Sequence, residues 1–457
     1  MNLARPALSN AAEGSVAGSA MQPGSAIGHP DVHLFESEHG AHLLIVDGSR
    51  IYDIDAQTRH LMAQAVATAP SEVPTLMTAL GIEPQRRYID DVPLSDPPLR
   101  ALSLAVAQKC NLACSYCYAE EGSFGGSPRN MPWEVAEAAV RKLLGTATAG
   151  ERVNLAFMGG EPLANRAVVR RATELAAELG VALGVRVGFS ITTNGTLVSE
   201  DDAEFFEQFG FAVTVSLDGV GDVHDRLRPF KGGRGSYQRV LANLRKLTVR
   251  ARRMQLTARA TITPSNLDLR ATLDELLGLG FHSVGFAPML ASPTGRDQLG
   301  SVDLGVLLDE MIACGRVFEA HVLDGKSYPF SNIMSALSEI HRGTHRPYPC
   351  GAGAGYLGVS AEGELSACHR FVGDDVGTMG SLDVGIDRGR QRRWLQDRHV
   401  HRQEPCSSCW ARYLCGGGCH HEVIRRGRPA CDFIRGWLDY CLGAYVRVAM
   451  ARPEYFA

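Results

Sequence analysis

Between residues 102 and 288 the chain alternates strand and helix at a nearly constant interval, and this limits its folds more than any other feature. LSLAVAQ (102–108), VNLAFM (153–158), VRVGFSITT (185–193), AVTVSL (212–217), LTARATIT (256–263) and SVGFAP (283–288) have the composition of strands. PWEVAEAAVRKLLG, RAVVRRATELAAELG and SYQRVLANLRKL lie between them with apolar residues at helical spacing. Strand and helix recurring about every 30 residues is the pattern of βα units around a parallel sheet or barrel. Six strands are too few for a closed eight-stranded barrel, so the expected class is α/β with a partial or open barrel. A doubly wound sheet is the other arrangement the alternation allows.

The flanks read differently. Residues 1–30 are rich in Ala, Gly, Ser and Pro and are expected to be flexible. Residues 31–98 alternate apolar and polar around Gly and Asp turns and then turn helical, which predicts a small α+β module. The barrel is expected over 99–290, a helical bridge over 291–345, and a Cys/Gly-rich region over 346–457. No long apolar run and no secretory h-region is present, so a cytoplasmic protein that does not enter membranes is expected. A net charge of −4 gives no pull toward nucleic acid.

Twelve cysteines fall into two groups and one outlier. Cys110, Cys114 and Cys117 form the first group, eight between Cys350 and Cys441 form the second, and Cys314 stands alone as an expected buried thiol. A chain of 457 residues buries its own core without disulfide staples, and in a reducing compartment dense thiols serve as metal ligands. Cys-x3-Cys-x2-Cys, directly after the first strand, suits three irons of a cubane cluster and leaves the fourth open for a ligand. Met-Gly-Gly-Glu-Pro (158–162), Thr-Asn-Gly (193–195) and Ser-Leu-Asp-Gly (216–219) each follow a strand. That rim is where α/β sheets bind ligands.

Taken together, the Cys110–Cys117 spacing with Tyr116, then GGEP, TNG and SLDG in order, resembles the radical S-adenosylmethionine (SAM) enzymes over about residues 100–290. The resemblance implies a partial (β/α)6 barrel in which S-adenosyl-L-methionine chelates the open iron of a 4Fe–4S cluster. By the same resemblance Gly159, Gly160 and Glu161 meet the methionyl amino group. Ser190, Asn194, Ser216 and Asp218 line the ribose and methionine pocket, and Arg259 sits where such enzymes often place a carboxylate partner.

The C-terminal cysteines resemble the SPASM extension, which carries auxiliary clusters. The resemblance assigns Cys406, Cys409 and Cys415 to one cluster with a downstream cysteine, and Cys419 to the cluster of Cys350 and Cys368. Spacing favours Cys431 as the downstream ligand, leaving Cys441 as the other cluster's fourth ligand or a bystander. Three 4Fe–4S clusters are thus expected. His369, His420 and His421 flank cluster cysteines, where they tune potential or serve structure.

The runs 350–374 and 409–423 look like those of thioether-forming peptide maturases, among them those that cross-link the small subunit of quinohemoprotein amine dehydrogenase. This implies a radical enzyme joining a Cys sulfur to a carbon, an Asp or Glu methylene in that case, in a ribosomally made peptide or small protein. The N-terminal module is similar to the peptide-recognition modules of such maturases. An external electron donor of flavodoxin or ferredoxin type is implied as well. The rivals are oxidation of Cys or Ser to an aldehyde, as sulfatase-maturating relatives perform, and a cysteine-rich zinc adaptor.

Overall fold

The computed structural model describes residues 29–82 and 89–456. The segment read as flexible, 1–30, lies outside them except for its last two residues. β1 (Val32–Ser37), β2 (Gly40–Ile45) and β3 (Arg50–Ile54) form an antiparallel meander, followed by α1 (Ala56–Thr68) and α2 (Val73–Ala79). Asp55 starts α1 by accepting from the Thr58 backbone N–H at 2.7 Å. The strands have two apolar faces. Val32, Leu43 and Ile45 pack on Met62, Val73 and Met77, while Phe35, Leu44, Val46 and Ile51 belong to the main core.

The main sheet is built from β4 (Ala101–Gln108), with the short β5 (Arg129–Asn130) paired to its end, then β6 (Arg152–Gly159), β7 (Arg186–Thr193), β8 (Ala212–Ser216), β9 (Gln255–Ile262) and β10 (Ser283–Pro288). Between them run α3 (Trp133–Gly145), α4 (Arg166–Leu183), α5 (Glu200–Phe209), α6 (Asp222–Leu227), α7 (Tyr237–Thr248) and α8 (Leu269–Gly278). β10, β9, β8, β7, β6 and β4 lie side by side, all parallel. The chain thus has an α/β fold with an open parallel sheet, as the alternation implies. β4 is buried on both faces, which is why LSLAVA is apolar at every position but Ser103.

α9 (Ser301–Leu323) and α10 (Ser331–His341) follow, and then the chain returns to the sheet. β11 (Tyr356–Val359) pairs parallel with β4, Tyr356 opposite Ala101 and Val359 opposite Leu104. β12 (Glu364–Ser366), β13 (Thr378–Ser381) and β14 (Gly385–Ile386) extend it antiparallel. The sequence reading counts six strands and misses this seventh parallel one. Four residues in a glycine-rich stretch have no periodicity of their own, and only pairing with β4 and β12 makes them a strand.

α11 (Arg388–Arg398), α12 (Arg412–Cys415), α13 (His420–Arg426) and α14 (Cys431–Ala451) complete the chain. α14 is buried along most of its length and packs on α9, α10 and β1. The N-terminal meander is pinned to the same region: the His33 ring stacks on Trp410 at 3.6 Å and its Nε2 meets Asp439 at 2.7 Å. No helix among the described residues is long and apolar enough to cross a membrane.

Candidate functional site

The loop bearing Cys110, Cys114 and Cys117 leaves the carboxyl end of β4 and is clamped by the segment after α6. Ala113 N donates to Pro229 O at 2.9 Å, Lys231 N donates to Asn111 O at 3.1 Å, and Leu112 bridges Phe230. The GGEP turn after β6 packs against the same loop. A Cβ on Gly159 would lie 2.3 Å from Ala107 O, and one on Gly160 would lie 2.3 Å from Lys109 O. Contact between loops therefore accounts for both glycines. The three thiols share one neighbourhood: burial pushes Cys114 up to about 12, and Cys117, Asp218 and Cys110 add to it against Arg228.

Glu161 is fully buried. Its carboxylate accepts from Leu163 N at 3.0 Å, Thr193 Oγ1 at 2.8 Å and Asn194 N at 2.7 Å. Burial raises its pKa and those donors lower it. Glu161 thereby ties the turns after β6 and β7 together. Asn194 extends the tie to the first cysteine loop, its Nδ2 donating to Asn111 Oδ1 at 2.9 Å and approaching Cys110 Sγ at 3.6 Å.

Asp218 is also fully buried. Its Oδ1 accepts from Thr261 N at 2.8 Å, and its Oδ2 takes the Tyr116 hydroxyl and Arg228 Nη1 at 3.3 Å. Arg228 in turn donates to the Tyr116 oxygen at 2.7 Å. This knot fastens the cysteine loop to β8 and β9. Arg228 is absent from the sequence reading; it lies nine residues beyond SLDG, in the stretch HDRLRPF.

Ser190 and Ser216 lie on the face of the sheet opposite to Phe189, Ile191, Val213 and Val215. The latter are buried, whereas Ser190, Thr192, Thr214 and Ser216 stay partly exposed. Arg259, opposite Ser216 in register, lies on that same face. Solvent reaches its side chain, yet protein surrounds it on most sides. Burial, then Arg370, lowers its pKa, while Glu422 and Cys419 oppose. Arg259 thus faces the second cysteine group.

The C-terminal cysteines fall into two sets. Cys350, Cys368 and Cys419 act on one another electrostatically, and burial pushes Cys368 up to about 12. Cys406, Cys409, Cys415 and Cys431 line one cavity of about 160 Å³ together with Arg428 and Arg435, and Cys419 of the other set borders it too. Burial pushes Cys406 up to about 11 against Arg428. Among the described residues no three His, Cys, Asp or Glu side chains converge on a single-ion site. Thiols arranged around a cavity with arginines beside them fit an iron–sulfur cluster, whose cubane places its ligands apart and carries net negative charge.

Cys441 belongs to neither set. It is fully buried in α14, with Glu319 and Asp439 as its charged neighbours. Ten residues of helix place it about 15 Å along the axis from Cys431. The packing of α14 thus keeps Cys441 apart from both sets, which together hold seven of the eight C-terminal cysteines. Cys314 is buried in α9, and burial pushes its thiol up to about 12.

Two residues missed by the sequence reading join the cysteine groups. Tyr118 follows Cys117 directly, and its surroundings include Cys117, Cys368 and Arg370, the last lying 5.2 Å over its ring. Tyr356 stands beside Cys368 and Cys350 and meets His369 Nδ1 at 2.7 Å. Burial lowers His369 to about 3, His420 to about 3 and His421 to about 4. His420 packs on Trp394 and His421 on Phe371.

Residues 104–286 match the family described as the Radical SAM superfamily. The chain is 26% identical over 356 residues to a serine-type anaerobic sulfatase-maturating enzyme of Klebsiella aerogenes, covering 73% of this chain and 83% of that one. It is 30% identical over 159 residues to a cysteine-type enzyme of that name from Clostridium novyi, covering 33% and 41%. Native anSMEcpe with bound AdoMet superposes with a TM-score of 0.64 at 19% identity, over 77% of this chain and 100% of that chain. Streptococcus suis SuiB bound to S-adenosylmethionine gives 0.52 at 17% identity, over 87% and 96%. These likenesses do not carry the thioether-forming branch expected from the cysteine-rich runs. The parallel sheet with its cysteine loop has the α/β fold of the radical SAM superfamily, prolonged by a cysteine-rich C-terminal extension.

Proposed function

We propose that the chain is a radical SAM enzyme that removes hydrogen from a side chain of a peptide or protein substrate. The observation that carries this reading is the division of ten cysteines into three sets. Cys110, Cys114 and Cys117 would hold the cluster that binds S-adenosyl-L-methionine, and the sets of Cys350 and Cys406 would each hold an auxiliary cluster. When bound, cluster and cofactor supply a 5′-deoxyadenosyl radical that takes one hydrogen atom. Glu161, Asn194 and Asp218 hold the loops around that site. Ser190, Ser216 and Arg259 offer polar groups on the open face of the sheet. Removing a hydrogen atom and then a proton leaves one surplus electron, and an auxiliary cluster would be its acceptor.

The sulfatase-maturating relatives favour oxidation of a substrate Cys or Ser side chain to an aldehyde. One observation supports thioether closure as a second reading: Cys350, Cys368 and Cys419 are three thiols where a cubane has four corners, so a substrate thiolate has a place to bind. The products differ. Cluster-loaded protein, given S-adenosyl-L-methionine, reductant and Cys- or Ser-containing peptides without oxygen, should form 5′-deoxyadenosine and an oxidised peptide. A hydrazide-reactive product marks the aldehyde. Loss of two hydrogens and one alkylatable thiol, with sulfur retained and no carbonyl, marks the thioether. Failure of the cluster-loaded protein to cleave S-adenosyl-L-methionine would remove the radical reading altogether.

A further inference from the structure

α11 lies across both C-terminal cysteine sets. On its inner face Gln391 Nε2 donates to Gly353 O at 3.0 Å, and Trp394 Nε1 donates to Ala352 O at 3.1 Å, within three residues of Cys350. The Trp394 ring also packs on His420, the neighbour of Cys419, with centroids 5.3 Å apart. At the helix end, Arg398 lies near Arg428 and Cys406.

The outer face is basic. Residues 387–402 hold six arginines against two aspartates in a chain of net charge −4, and Arg388, Arg390, Arg392 and Arg393 are exposed. Helix stability does not explain them. Arg388 and Arg390 stand in the first turn, where the helix dipole disfavours cations, and Arg388 and Arg392 are like charges one turn apart. Their ion pairs are loose: Arg388 lies 3.9 Å from Asp96 and Arg390 lies 3.6 Å from Asp387. Arg393 acts on Asp387 only at longer range, and no carboxylate among the described residues forms an ion pair with Arg392.

We propose that the outer face of α11 is the docking surface for an acidic one-electron carrier protein of flavodoxin type. A carrier seated there is about one helix diameter, about 10 Å, from the chain bearing Cys350. The face meets such a protein with opposite charge over a route to both cysteine sets. In the exchange the flavin hydroquinone anion becomes the neutral semiquinone, and its one electron reduces an auxiliary cluster; no proton moves. The proposal rests on the auxiliary-cluster reading.

The test uses the cluster-loaded full chain, a chemically reduced flavodoxin and stopped-flow absorbance, with R390Q/R392Q/R393Q beside the unaltered protein. At low salt the variant should show a second-order rate at least about tenfold lower and a flattened salt dependence. Reduction by dithionite and dithionite-driven cleavage of S-adenosyl-L-methionine should be unchanged. The corresponding triple lysine variant should keep the rate. Equal rates and salt slopes in glutamine variant and parent would overturn the proposal, as would a lysine variant as slow as the glutamine one. An unchanged carrier rate with weakened peptide turnover would assign the face to an acidic substrate and overturn it too. Auxiliary iron is read separately, by iron content and dithionite EPR of the unaltered protein: no auxiliary iron sinks the cluster reading, whereas auxiliary iron with no effect of the variants sinks only the docking.

Discussion

Arg370 donates through Nη1 to the Cys419 sulfur at 3.6 Å, and the same nitrogen holds Glu422 Oε1 at 2.8 Å. Its guanidinium also covers the Tyr118 ring. One arginine thus touches the cysteine set of the extension and the residue next to the first cysteine loop.

A hydrogen-bonding cation beside a cluster thiolate favours the reduced, more negative state. R370M should lower the midpoint potential of the cluster at Cys350, Cys368 and Cys419 by up to about 60 mV, equivalent to 1.4 kcal/mol for one electron. EPR-monitored redox titration reads this directly. An unchanged potential would mean that Arg370 serves only to hold Glu422.

Cys431 and Cys441 should behave oppositely. C431A removes a thiol from the cavity shared with Cys406, Cys409 and Cys415, and iron per chain should fall by up to about four atoms, one cluster's worth. C441A, deep in α14 and away from that cavity, should leave iron unchanged and cost about 1–2 kcal/mol in packing. Iron analysis with thermal melting separates the two, and iron loss in C441A would restore it as a ligand.

Arg228 is paired with buried Asp218 and Tyr116, and its side chain is only 11% exposed. R228M strands the Asp218 carboxylate, which should cost about 3–5 kcal/mol. Because the same knot clamps the loop of Cys110, Cys114 and Cys117, iron at that loop should be lost more readily to a chelator than auxiliary iron. D218N/R228M, which removes both charges, should recover part of the stability.

Iron removal should change the pH dependence of stability. In the iron-free chain Cys406 is pushed up to about 11 and Cys368 to about 12 from an ordinary value of 9.0. The folded chain keeps these protons between about pH 9 and 11, whereas the unfolded chain releases them, so stability is full below pH 9 and falls above it. Each such thiol contributes about 1.4 kcal/mol per pH unit in that window. Iron-loaded protein has no such protons to lose. Between pH 9 and 10 the melting temperature of the iron-free chain should fall, and that of the iron-loaded protein should not fall with it.

The strands around Phe157, Ile191 and Val215 were readable because burial of one sheet face imposes period two, and the helices between them because α4 and α7 bury one stripe. Glu161 and Asp218 were singled out by position after strands. That each is fully buried and fastens neighbouring loops was not readable, since their partners Thr193, Thr261 and Tyr116 come from other βα units.

Local order, the cysteine loop at Cys110–Cys117 and the dense run Cys406–Cys419 were determined by the sequence itself, because periodicity and short spacing act within a few turns of chain. Tertiary structure alone decided that β11 pairs with β4, that Arg228 reaches Asp218, that Arg370 reaches Cys419, and that Cys441 stays apart from both sets. Each of these depends on which distant surfaces bury one another. A thiol on α14 and a thiol on a loop look alike in sequence, and only the packing of α14 against α9 and β1 turns one into core and leaves the other beside a cavity.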